Sequence, residues 1–204
     1  MLSLRVDVPP IANVRHSTSS VPSTDYGDTP TSMADLIRRL TNAPERLESA
    51  IAGLSLAECE RAICADEQPI RSCVEHVAIY GLDWSELFYR SVSDIYPTQR
   101  SHNSHWKDRL TAEALTGLRP ALGVYRKHNK SIAEFLATLP ASDFERPFAT
   151  TDTEADPFLV KDNLHWGLVE HCDYHLATIH KMRVALGKPL DWMAVYLERY
   201  PGPN

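Results

Sequence analysis

Four stretches of the chain place apolar residues every three or four positions, the spacing of one face of an α-helix. They cover about residues 32–53, 69–91, 111–139 and 162–186. Pro44 and Pro120 fall inside two of them, so we expect a kink or a restart of the helix near each proline. No stretch alternates apolar and polar residues for long enough to predict a strand. Because amphipathic helices in one domain bury their apolar faces against each other, the pattern predicts an all-α protein built as a four-helix bundle.

The remaining segments predict the organisation around this bundle. Residues 1–31 are rich in proline and serine and show no helical period, which predicts an irregular N-terminal arm. Residues 32–204 then form one domain, the bundle followed by a C-terminal tail that can add a short helix. Two long crossover loops, at about residues 92–110 and 140–161, are expected to shape a functional site, since loops of this length are often functional.

Charge and hydropathy exclude several classes of partner. The net charge is -6 and the 21 basic residues are scattered, which argues against nucleic acid as a partner. No stretch approaches the roughly 20 apolar residues that span a bilayer, and the first residues lack the apolar run of a signal peptide. We therefore expect a soluble, cytoplasmic protein with no membrane partner. The four cysteines have no CxxC spacing, which favours reduced and buried thiols.

Histidines occupy positions where the helical pattern calls for leucine. The fourth stretch reads Leu164, Leu168, His171 and His175 in steps of three and four, and the second stretch carries His76 on its apolar face. Two histidines four residues apart lie about one turn apart on the same helix face. A buried imidazole without a partner costs about 1–3 kcal/mol, and one shared divalent ion would satisfy all three. Three histidine ligands leave open positions, an arrangement typical of catalytic rather than structural sites. Hydrogen-bonded core histidines are the alternative.

Three further residues are candidates for the same site. Asp83 follows His76 by seven residues on the same helix face, so its carboxylate could orient a ligand, act as a base or remain solvated. Tyr80, one turn from His76, is a candidate pocket residue, although core packing explains it equally well. His105 lies in the first long loop and is a candidate cap over the substrate, with a surface position as the alternative.

Two other histidines of the fourth stretch are expected to lie away from the site. His180 follows His171 by nine residues, about half a turn around the helix, which predicts a solvated surface position. His165 also falls off the apolar seam. Neither is expected to bind the metal.

Motifs in four segments carry a resemblance to a known family. They are LESAIAGLS at 47–55, PIRSCVEHVA at 69–78, LPASDFERP at 139–147 and LHWGLVEHCDYH at 164–175. Together they resemble the DinB/YfiT-like superfamily of metal-binding four-helix bundles over about residues 32–188. The resemblance implies that His76, His171 and His175 are the metal ligands. One departure is that many relatives follow the last ligand with Gly-Gln, where this chain has Leu176-Ala177.

The resemblance also implies a range of functions. Members of known activity include transferases and isomerases that use mycothiol, bacillithiol or glutathione, and others look like metal-dependent hydrolases. We therefore expect a metal-dependent enzyme that uses one divalent ion, zinc or nickel, and a low-molecular-weight thiol to act on a small electrophilic molecule. A hydrolase that activates water and a non-catalytic metal or small-molecule binding module are the alternatives. The resemblance also suggests a homodimer.

Overall fold

The computed structural model describes residues 29–63, 68–92, 106–148 and 158–200. The helices are α1 (Met33–Ile51), α2 (Leu56–Glu60), α3 (Ile70–Val92), α4 (Trp106–Ala114), α5 (Leu118–Leu136), α6 (Val160–His165), α7 (His171–Ala185) and α8 (Ala194–Arg199). A π-helical turn, Trp166–Glu170, joins α6 to α7, and two-residue strands β1 (Pro147–Phe148) and β2 (Phe158–Leu159) pair antiparallel. Except for residues 29–31, the predicted N-terminal arm lies outside the described residues.

Four long helices form the bundle that the sequence predicts. Helix α1 packs against α5 and α7, and α3 packs against the same two helices, so each long helix has two neighbours. The short helix α4 packs on α3 and α5, and α8 packs on α7. The all-α prediction is therefore confirmed. Within the described part of the chain, no helix is long and apolar enough to cross a bilayer.

Helix α1 runs without a break through Pro44, where a kink or restart was expected. Its N-terminus is capped by Ser32, whose hydroxyl accepts a hydrogen bond from the Asp35 amide. Pro44 has no N–H to donate to the carbonyl of Leu40, four residues earlier. The buried side chain of Asn129 on α5 donates to that carbonyl instead, at 3.1 Å. A neighbouring helix thus supplies the hydrogen bond that the proline removes.

The third predicted helix is two helices, which confirms the expected restart near Pro120. Helix α4 ends at Ala114 and α5 begins at Leu118, with Gly117 between them. Pro120 lies in the first turn of α5, where backbone N–H groups have no partner within the helix and a proline costs little. Helix α4 begins at Trp106, so it takes up part of the segment that was expected to be a long loop.

The fourth predicted helix is interrupted by the π-helical turn. The amide of His171 donates to the carbonyl of Trp166, five residues back, instead of four. The buried hydroxyl of Tyr125 on α5 donates to the carbonyl of Leu168 within this turn. Because a π turn holds an extra residue, it changes the angle between the side chains before it and those after it. His165, just before this turn, is also buried, where Nη1 of Arg39 donates to its Nε2 at 3.2 Å, so its expected position off the apolar seam was wrong.

Cysteine positions agree with the expectation of reduced, buried thiols where they are described. Cys59, Cys73 and Cys172 are buried thiols. Burial raises the pKa of Cys172 to about 12, so this thiol stays protonated beside the histidines of α7. Cys64 lies outside the described residues.

Replacement of Gly81 tests the packing between α3 and α5. A Cβ atom at Gly81 would lie 2.5 Å from Nε2 of the buried His128, whereas a Cβ at Gly123 would meet nothing within 4 Å. We expect Gly81→Ala to lower the free energy of unfolding by about 1–3 kcal/mol through overpacking. The matched change Gly123→Ala should raise it by about 0.5–1 kcal/mol, because alanine is the better helix former. Urea denaturation of both variants measures this, and equal effects would contradict the packing.

Acid stability tests the burial of His128. Burial lowers the pKa of His128 to about 3, whereas an unfolded chain binds a proton at the ordinary histidine pKa of about 6.5. The free energy of unfolding therefore does not depend on this ring above pH 6.5. It decreases as the pH falls from 6.5 towards 3, since only the unfolded chain takes up the proton. Over that interval we expect His128→Leu to reduce the slope of unfolding free energy against pH by about 1 kcal/mol per pH unit. Urea titrations at several pH values measure both slopes, and equal slopes would contradict a neutral, buried ring.

Candidate metal site

Three histidines from two helices meet at the contact between α3 and α7. His76 lies on α3, His171 is the first residue of α7, and His175 follows one turn later. One ring nitrogen from each lies within 4.8 Å of the others, and the ring centroids are 4.8–5.1 Å apart. Among the described residues, this is the one group of histidine, cysteine and acidic side chains close enough to hold an ion. The structure therefore brings together the three residues that the sequence predicts as ligands.

The site lies at the edge of the bundle. His76 is exposed, and His171 and His175 are half-buried. The next residues along each helix, Val77 and Cys172, are buried. The sequence predicted that all three rings face the core. Their partial exposure shows that they lie at its edge instead. Because one ring is exposed, a bound ion would be open to solvent and to small molecules.

The electrostatic environment keeps the three imidazoles neutral. Burial, with smaller contributions from the other two rings, lowers the pKa of His171 to about 2. Burial and the nearby His76 lower the pKa of His175 to about 3. Partial burial also lowers the pKa of His76, and the carboxylate of Asp83 opposes that shift. At neutral pH each ring therefore offers a lone pair, which is the form that binds a metal.

Two buried nitrogen atoms of the site fit a metal ion. Nε2 of His171 and Nδ1 of His175 are shielded from solvent and have no hydrogen-bond partner. Such atoms are costly in a folded protein unless a ligand or ion satisfies them. Histidine nitrogen bonds zinc at about 2.0–2.1 Å, so small side-chain movements would close this cluster around one ion. The donor set of three neutral imidazoles suits zinc, nickel, copper or iron.

A buried ion pair holds the opposite face of α7. Asp173 lies between His171 and His175, about 200° around the helix from each. Its carboxylate accepts a 2.7 Å hydrogen bond from the guanidinium of Arg46 on α1. Burial raises the pKa of Asp173 to about 6, and the charge of Arg46 opposes that rise. With Asp173 directed at α1, the two histidines are directed at α3.

The other sequence candidates have different surroundings. The Tyr80 ring stacks on the His171 ring, with centroids 3.8 Å apart and planes 19° apart, so Tyr80 lines the site. Asp83 is half-exposed and forms a 2.5 Å ion pair with Lys107, which also contacts Glu86. Its role in proton transfer stays a prediction. His105 lies outside the described residues.

Sequence reasoning missed two tryptophans beside the site. Trp84 and Trp166 contact each other edge to face, with ring centroids 5.1 Å apart. Their ring centroids lie 6.0 and 6.1 Å from that of Tyr80. The glycine after Trp166 was an available signal, because a glycine inside a helical pattern often marks a close approach. The predicted solvated position of His180 was wrong, because this residue is buried, although it lies outside the cluster.

Comparison with known proteins places this chain in a family. The family model of the DinB superfamily matches residues 39–179, which is more than half of the chain and includes all three histidines. The chain therefore belongs to the DinB superfamily, a family of generally metal-binding helical proteins. No curated protein and no solved structure matches the chain.

Metal stoichiometry tests the assignment of the ligands. We expect protein purified without an affinity tag or chelator to hold about one divalent ion per chain, and His171→Ala to hold almost none, because two ligands retain little affinity. His180→Ala is the matched control, since His180 is buried on the same helix but lies outside the cluster. Elemental analysis measures both, with circular dichroism to show that each variant stays helical. Full occupancy in folded His171→Ala would reject the site.

Proposed function

We propose that this protein is a metal-dependent enzyme in which a low-molecular-weight thiol attacks a small electrophilic molecule. The observation that carries the proposal is the partly exposed cluster of His76, His171 and His175, whose ring nitrogens converge within 4.8 Å. Three protein ligands leave at least one position of a divalent ion free for another molecule. Zinc and nickel are the ions that we expect. A homodimer is part of the same proposal, by resemblance to the family.

The chemistry of the site follows from its charge. A divalent ion lowers the pKa of a coordinated thiol or water, so that a nucleophile forms near neutral pH. The three imidazoles are neutral and leave the positive charge of such an ion uncompensated, which favours an anionic fourth ligand. The thiol loses its proton to solvent. The sulfur lone pair would then form a bond to an electrophilic carbon. The bond from that carbon to the leaving group would break, and the leaving group would depart with the electrons of the broken bond and take up a proton from water.

The lack of a carboxylate in the cluster favours a thiol over water as the nucleophile. Hydrolysis by an activated water usually needs a general base within hydrogen-bond reach of that water. Among the described residues, the cluster contains histidines alone, and Asp83, the nearest sequence candidate for a base, is paired with Lys107. A coordinated thiol depends less on such a base, because its ordinary pKa of about 8.5 is far below the pKa of about 15.7 of water. Hydrolysis and non-catalytic binding are therefore outcomes of the test.

Cobalt substitution tests whether a thiol binds at the cluster. We expect the cobalt(II) form of the protein to gain an intense near-ultraviolet absorption band when glutathione, bacillithiol or mycothiol is added, because a thiolate bonded to cobalt absorbs there. The band should form below the ordinary thiol pKa of about 8.5, since the ion stabilises the thiolate. It should be absent from His76→Ala and present in His180→Ala.

Product analysis then separates the functions. The metal-loaded protein is incubated with a chloronitroaromatic electrophile and with an aryl ester, each with and without the thiol that gave the band. A thioether product that forms faster with thiol and metal-loaded protein together than with thiol alone supports the proposal. Ester hydrolysis without thiol would show a hydrolase, and binding of metal and thiol without either product would show a binding module.

A further inference from the structure

Three aromatic rings in mutual contact lead away from the histidine cluster. We call Tyr80, Trp84 and Trp166 the aromatic wall. Tyr80 stacks directly on the His171 ring, and the centroids of the two indoles lie 6.0 and 6.1 Å from that of Tyr80. Trp84 is almost fully buried, Tyr80 is half-buried, and Trp166 is 37% exposed. The wall therefore runs from the bundle interior to solvent beside the candidate ligands.

Local features of the π-helical turn between α6 and α7 position the aromatic wall. A Cβ atom at Gly167 would lie 2.5 Å from the Trp84 ring, so the indole can occupy its position only because residue 167 is glycine. Glycine within a helix costs about 1 kcal/mol relative to alanine. Trp166 and Gly167 also begin the π-helical turn, a feature that is rare and frequent at functional sites. The helix is thus less stable at the point where the two indoles are in contact.

We propose that the aromatic wall binds a planar aromatic group of the substrate and holds it beside the metal cluster. An aromatic ring that packs on exposed indole gains stacking energy beyond that of the area it buries. The wall could also attract a cation. However, a divalent ion held by three neutral imidazoles would repel a second cation bound beside it. A neutral or anionic aromatic ring therefore suits the site better. This inference rests on the proposed function and adds the class of substrate.

Two metal-binding probes of similar size test the wall. Phenylmethanethiol and cyclohexylmethanethiol carry the same thiol, and only the first has an aromatic ring. We expect the zinc-loaded protein to bind the aromatic probe about fivefold more tightly in calorimetric titrations. Trp166→Leu should reduce the ratio of the two affinities to about one, and Trp166→Phe should restore part of it. Zinc content and the affinity for the saturated probe should change little, since the ligands are intact.

The matched control is Trp192→Leu. Trp192 is 41% exposed, close to the exposure of Trp166, and contacts Tyr196 near the C-terminus. We expect this variant to keep the wild-type ratio. An unchanged ratio in Trp166→Leu, or an equal loss in Trp192→Leu, would overturn the role of the wall.

A metal-free experiment separates failure of the wall from failure of the proposed function. The fluorine NMR signal of fluorobenzyl alcohol should broaden with chelator-treated wild-type protein and broaden less with Trp166→Leu. If the protein binds no zinc but this difference is found, the proposed function fails and the wall remains. If zinc binds and neither experiment shows a dependence on Trp166, the wall is rejected and the metal site remains.

Discussion

The buried ion pair between Arg46 and Asp173 sets the direction in which the candidate site faces. Both residues are at least nine-tenths buried, and removal of one partner from such a pair typically costs about 3–5 kcal/mol. This energy fixes the rotation of α7 about its own axis relative to α1. Because Asp173 lies about 200° from both His171 and His175, the rotation that satisfies the ion pair also turns the two imidazoles towards His76 on α3. The histidine cluster thus depends on a contact made on the other side of the helix.

A second constraint acts at the start of α7. Because of the π-helical turn, residues before His171 and residues after it contact different residues of the neighbouring helices. Inside the turn, the Tyr125 hydroxyl donates a hydrogen bond to the Leu168 carbonyl. Before the turn, His165 accepts a hydrogen bond from Arg39 in the interior. Within it, Trp166 reaches the surface beside the cluster. The stretch around this turn therefore contains a buried polar contact, two of the three candidate metal ligands and an exposed aromatic ring within little more than ten residues.

Much of the fold and the three candidate ligands could be predicted because they depend on local spacing. Apolar residues at helical period indicated the bundle, and histidines in leucine positions indicated the cluster. The failures share a physical cause, which is that a neighbouring helix changed what local rules predict. Asn129 supplies the hydrogen bond that Pro44 removes, so α1 continues. Arg39 of α1 supplies a hydrogen bond to His165, so this polar ring is buried off the predicted seam.

The sequence by itself determined which residues can share a helix face, since about 100° of rotation per residue follows from backbone geometry alone. It therefore determined that His171 and His175 lie on the same helix face and that His76 lies on a stretch with an apolar face. Only the tertiary structure decided which way those faces point. The exposure of His76, the stacking of Tyr80 on His171 and the meeting of the two indoles depend on the packing of α3 against α7. That packing is governed by buried contacts between residues far apart in the chain, which no local pattern contains.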